Sequence, residues 1–138
     1  MLRLFYKSVH YYILASSFFI STISCFAQKH PFESPLDIPI YLSGSFGDLR
    51  LNHFHTGFDI RTQSQIGKFV YAANDGFISR IKIEPSGYGK AIYIEHPNGY
   101  TSVYAHLDGF AETIAQVIKN QQYQQSSFAV DFTPTIKK

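Results

Sequence analysis

The sequence predicts a mainly β protein built on an antiparallel sheet, with one short helix towards its C-terminal end. Three observations predict it. Four short runs dense in Val, Ile, Tyr and Phe follow one another between residues 68 and 107, turn-forming residues separate them, and one run alternates apolar with polar side chains. Side chains of these types fit a pleated, half-buried surface, and turns this short can join only antiparallel neighbours.

The strands are expected at residues 68–73, 77–83, 90–96 and 100–107. Asn74-Asp75-Gly76 separates the first two and Pro85-Ser86-Gly87-Tyr88-Gly89 the next pair. Pro97-Asn98-Gly99 separates the last pair, and its Asn-Gly step suits a tight hairpin turn, where positive φ is required. In the second run Phe77, Ser79, Ile81 and Ile83 alternate with Ile78, Arg80, Lys82 and Glu84, which assigns the first set to a core and the second to water. From 110 to 123 the pattern changes: Ile114, Val117, Ile118 and Gln121 recur at helical spacing. The Gln-rich tract after it reads as solvated, and residues 128–132 read as one more strand. No internal repeat is evident.

Ahead of the sheet lies a different kind of chain. The 138 residues suit one domain, and 45% hydrophobic with 16% charged residues is compatible with a buried core. Arg3 and Lys7 precede an uncharged run, Tyr11 to Ala27, that ends in Ser24-Cys25-Phe26-Ala27. Small residues at the two positions a signal peptidase inspects predict an export signal over 1–27, cut after Ala27. A retained membrane anchor is the alternative, at the lower limit of length for spanning a bilayer. Acylation at Cys25, the only cysteine, would need a preceding pattern that Thr22-Ile23-Ser24 matches poorly. The mature protein is therefore expected in the periplasm or outside the cell, without thiol or disulfide and off the membrane.

Two of the 12 basic residues lie in the signal, whereas all 10 acidic residues lie beyond it, so the mature chain is formally neutral. A basic surface for nucleic acid is not supported. Residues 28–42 hold Pro31, Pro35 and Pro39 and read as an extended lead-in; the domain proper is expected over 43–138.

The chemistry concentrates in His55-Thr56-Gly57-Phe58-Asp59, which follows a glycine loop, Ser43 to Asp48, and stands beside His53. Imidazole nitrogen and carboxylate oxygen are both good ligands for a catalytic metal, and in an extended segment side chains four apart point the same way. An ordinary solvated pair has the same spacing. His106, in Val103-Tyr104-Ala105-His106-Leu107, falls at a strand end, where alternation places it among apolar neighbours as a core residue or a catalytic one.

From Ser43 to Leu107 the chain resembles the lysostaphin-like and LytM-like zinc endopeptidases, metallopeptidase family 23. The resemblance rests on six motifs in order: Gly47-Asp48-Leu49-Arg50, His55-Thr56-Gly57-Phe58-Asp59, Ala73-Asn74-Asp75-Gly76, Gly87-Tyr88-Gly89, His96-Pro97-Asn98-Gly99-Tyr100 and Tyr104-Ala105-His106-Leu107. It implies a sheet of barrel-sandwich hybrid type, truncated, with a short helix after the Tyr-x-His-Leu strand. It further implies that His55 and Asp59 bind Zn2+, that His106 acts on the metal-bound water or the tetrahedral intermediate, and that the substrate is the peptide cross-link of peptidoglycan. His53 has no counterpart, and His96 belongs to a hairpin and reads as structural.

The chain departs from the family in one place: a later His-x-His motif supplies the family's third ligand, and no histidine follows His106. Asp108, Glu112 and Asp131 are acidic residues that could substitute, but nothing in the sequence places them. The expectation is an incomplete copy of the domain with an unpaired sheet edge. A non-catalytic module that binds the wall or regulates another hydrolase is the competing reading. A lipoyl-type carrier is disfavoured, since no modifiable lysine sits in the hairpin.

Overall fold

The computed structural model describes residues 32–134. The export signal expected over 1–27 lies outside the described residues. Within the described residues six strands and one helix follow in order: β1 (Leu42–Gly44), β2 (Asp59–Ile60), β3 (Phe77–Ile83), β4 (Lys90–Glu95), β5 (Thr101–Tyr104), α1 (Glu112–Gln125) and β6 (Val130–Phe132). They form two antiparallel sheets, a two-stranded one of β1 and β2 and a four-stranded one ordered β5-β4-β3-β6. The architecture is mainly β, as expected, with the four-stranded sheet open and the helix after the Tyr104-Ala105-His106-Leu107 segment. Among the described residues no helix is long and apolar enough to cross a membrane.

The core lies between α1 and one face of the larger sheet. Ile81, Ile83, Ile92, Val130 and, from the helix, Ile118 are buried together, with Ile114, Leu107, Phe110 and Phe132 packed around them. Register explains the grouping: Ile81 stands opposite both Ile92 and Phe132, and Ile83 opposite Val130, so all project to one side. The other side carries Arg80, Lys82, Tyr93 and Asp131; Arg80 binds Asp131 through both Nε and Nη2 and lies over the Tyr93 ring. Helix α1 begins and ends two residues later than the 110–123 read from the sequence. It ends where Ser126 turns left-handed (φ 48°), its N–H reaching the Tyr123 carbonyl at 3.2 Å.

Three expectations are corrected. The simple alternation of β3 fails at its start, because the register shifts between Ile78 and Arg80. Ser79 is the extra residue of a β-bulge, which returns Ile78 to the core side and leaves Phe77 62% exposed. Residues 68–73 belong to no sheet. Their backbone groups go instead to the lead-in and a side chain: Tyr71 N–H to Pro35 O, Ala73 O from Glu33 N–H, and Ala73 N–H to the Tyr104 hydroxyl at 2.7 Å. Pro35 has no N–H to return, so no ladder propagates there. Finally, the fourth strand ends at Tyr104, and His106 lies exposed beyond it, away from the apolar surroundings that alternation assigned to it.

The hairpin motifs are where the turn chemistry puts them. Gly99 has φ 82° and donates to the His96 carbonyl, while His96 and Tyr100 close the turn at 2.9 Å. His96 is 5% exposed, with Nδ1 2.7 Å from Asp75 O and Nε2 2.9 Å from Ser102 Oγ, and the Phe32 ring meets it edge-on. Its part is structural.

Candidate active site

Residues 47–55 double back as a narrow antiparallel hairpin. Gly47 N–H reaches His55 O, His55 N–H reaches Asp48 O, Arg50 N–H reaches His53 O, and Leu49 bridges Phe54. The hairpin delivers Arg50 near its tip and His55 at its base. Four residues on, the chain enters β2 at Asp59, opposite Gly44 of β1.

This brings His55 and Asp59 together, with Nε2 3.2 Å from Oδ1. The other ring nitrogen, Nδ1, lies 3.0 Å from the carbonyl oxygen of Ser45. A carbonyl can only accept, so Nδ1 carries the hydrogen, and in the neutral ring Nε2 then presents a lone pair towards a carboxylate oxygen. Two acceptors facing each other at that distance call for a shared cation, either a proton on the ring or a metal ion. The second carboxylate oxygen is taken: Oδ2 accepts from Arg50 Nη2 at 2.6 Å.

His106, just beyond β5 of the larger sheet, is connected to this segment through Tyr88. Its backbone is left-handed (φ 55°), and its N–H is tied to Tyr88 O at 3.0 Å; the next N–H, of Leu107, is tied to Lys90 O at 3.1 Å. A histidine at positive φ is uncommon and is held only where neighbouring contacts over-determine it. The Lys90 ammonium adds a further tie to the Asp108 carbonyl. Tyr88 is the link to the metal-ligand candidates, for its hydroxyl lies 2.9 Å from Oγ1 of Thr56, the neighbour of His55. Among the described residues the His106 side chain forms no hydrogen bond to His55 or Asp59.

Tyr88 and Arg50 are the site residues that composition and spacing did not single out. The signal for Tyr88 was its flanking glycines, both at positive φ (66° and 62°), which let the loop turn so that the hydroxyl meets Thr56. Arg50 was visible only as part of a motif. His53, exposed at the hairpin, pairs with Asn52 Oδ1 at 2.7 Å and joins neither His55 nor Asp59. Asp131 is committed to Arg80 on the solvent face of the sheet. Among the described residues no third His, Cys, Asp or Glu gathers with the pair.

The segment that carries these residues matches a known family. The model of "Peptidase family M23" matches residues 53–124, just over half of the chain and inclusive of His55, Asp59 and His106. Curated relatives named "DD-carboxypeptidase/endopeptidase Mpg", from Neisseria meningitidis serogroup B and from Neisseria gonorrhoeae, are 40% identical over 63 residues. That stretch is 46% of this chain but 14% of each relative, so the chain spans a small part of the length of the curated relatives it matches. No solved structure matches. With a family match of this extent over the residues that build the site, the chain belongs to peptidase family M23.

Proposed function

We propose that the protein is an exported zinc endopeptidase that cuts peptide cross-links of peptidoglycan, with His55 and Asp59 holding the ion. The carrying observation is the pair of acceptors: His55 Nε2, with its other nitrogen pinned on Ser45, faces Asp59 Oδ1 at 3.2 Å. The donor set fits the ion. Two ligands each about 2.05 Å from a tetrahedral zinc stand about 3.3 Å apart, so little rearrangement is needed to admit it. A ring oriented by a backbone carbonyl through Nδ1 is also the usual support for a ligating histidine. Two protein donors leave the remaining positions to water, substrate or a further donor.

Bound zinc supplies a polarised carbonyl and a water acidic enough to act near neutral pH. The chain's own residues do the rest. Ser45 fixes the tautomer of His55, Arg50 occupies one oxygen of Asp59, and Tyr88 holds the backbone of His106 while contacting the His55 segment through Thr56. His106, exposed beyond β5, is assigned to proton transfer with the attacking water or to the developing oxyanion. Support for the peptidoglycan substrate comes from family membership and from relatives named as carboxypeptidase and endopeptidase. Export is supported by the charged and then apolar start of the chain.

The test is the zinc content of the purified protein together with its action on isolated peptidoglycan. About one zinc per chain, absent from His55→Ala, with peptide release abolished by chelator and by His106→Ala, is the expected result. Wall binding that persists with chelator and without cleavage would instead establish the non-catalytic wall-binding module.

A further inference from the structure

We infer that Arg50 is a positioning residue for Asp59, dividing the carboxylate so that one oxygen is clamped and the other is left for the metal. The inference rests on the reading of His55 and Asp59 as ligands. Three separate pieces of chain meet to make the clamp. The hairpin brings Arg50, β2 brings Asp59, and β1 brings Gly44 beneath them. Nη2 of Arg50 lies 2.6 Å from Oδ2, whereas Oδ1 faces His55 at 3.2 Å.

Gly44 supplies the independent observation. A Cβ at this position would lie 2.3 Å from Asp59 Oδ2 and 2.5 Å from Arg50 Nη2, closer than any real side chain comes. Its φ is not left-handed, so a side chain here would act by displacing the ion pair and not by straining the backbone. The ion pair therefore lies directly on the backbone of β1. The exposed pair contributes little to folding, its two side chains being 39% and 40% exposed. Its effect is on orientation: an unclamped carboxylate rotates and can present either oxygen or both. Arginine suits the task because its charge is permanent and its donors are set in a rigid fork.

The experiment is a cobalt(II) titration of the full chain followed by visible absorption, on the parent and on Arg50→Ala, Gly44→Ala and the double variant. Each single change is expected to weaken cobalt binding by about tenfold or more and to alter the absorption bands in the same way. Because both break one contact, the double variant is expected to bind no more weakly than the worse single. Thermal melts of the metal-free proteins check the fold, and Arg50→Gln replaces Gly44→Ala in the comparison if that variant does not fold. Cobalt affinity and spectrum unchanged in the Arg50 variants, or losses that multiply in the double, would overturn the inference while leaving the metal site standing. No cobalt uptake by the parent would overturn the metal reading and the inference with it.

Discussion

The hydroxyl of Tyr88 lies 2.9 Å from Oγ1 of Thr56, joining the loop between β3 and β4 to the segment that carries His55 and Asp59. The same residue accepts the backbone N–H of His106. One residue thus connects the two sequence regions that hold the candidate chemistry, its side chain meeting Thr56, 32 positions earlier, and its carbonyl meeting His106. Tyr88→Phe removes the hydroxyl and keeps the ring. At an exposed site the cost to global stability is expected to be at most about 1 kcal/mol. Amide hydrogen exchange across residues 53–59 is expected to accelerate in this variant, with exchange in β3 and β4 unchanged.

The small core makes its central residue costly to trim. Ile81 is fully buried and stands opposite both Ile92 and Phe132. Ile81→Ala is expected to destabilise by about 2–5 kcal/mol, measured by urea unfolding, a large share of what a domain of this size has.

Two histidines separate structural from surface roles. His96 is buried and bonded through both ring nitrogens, so His96→Leu removes the ring partner of the Asp75 carbonyl and one of the two partners of Ser102 Oγ, and is expected to cost about 1–3 kcal/mol. His53→Ala, on an exposed hairpin, is expected to stay within about 0.5 kcal/mol of the parent. Equal losses in parallel denaturant melts would contradict this division.

Acid sensitivity has an identifiable contributor on the solvent face of the sheet. The hydrogen bond from the Arg80 guanidinium, strengthened by its charge, holds the Asp131 carboxyl below its ordinary 3.8. A carboxyl lowered on folding stabilises above its unfolded pKa, and that contribution disappears as pH falls through the folded value. Asp131→Asn is therefore expected to lower Tm near neutral pH and to narrow the Tm difference between neutral pH and about pH 3. The pair is well exposed, so the change is small and shrinks further in high salt.

Much of the sheet was legible in the sequence because turns and strand composition act locally. Asn98-Gly99 forms its hairpin through positive φ at Gly99, a property of two residues and not of the fold around them. The β3–β4 and β4–β5 pairings follow once those turns are in place. What the pattern could not convey was where alternation would break. The bulge at Ser79 reverses the faces of β3, and residues 68–73, as strand-like in composition as any, spend their hydrogen bonds on the lead-in and on Tyr104. Such outcomes depend on which backbone groups find partners, and the partners are distant in sequence.

By itself the sequence determined the mainly β class, the hairpin turns, the helix after His106 and the spacing that makes His55 and Asp59 candidates for one ion. The tertiary structure alone decided that Nδ1 of His55 is pinned on Ser45, that Arg50 holds one oxygen of Asp59 above Gly44, and that Tyr88 bonds both Thr56 and the backbone of His106. The physical reason is the same in each case. Local conformational preference acts over a few residues and is written in composition, whereas a hydrogen bond between side chains requires two remote segments to be brought within about 3 Å, which only the packed fold achieves.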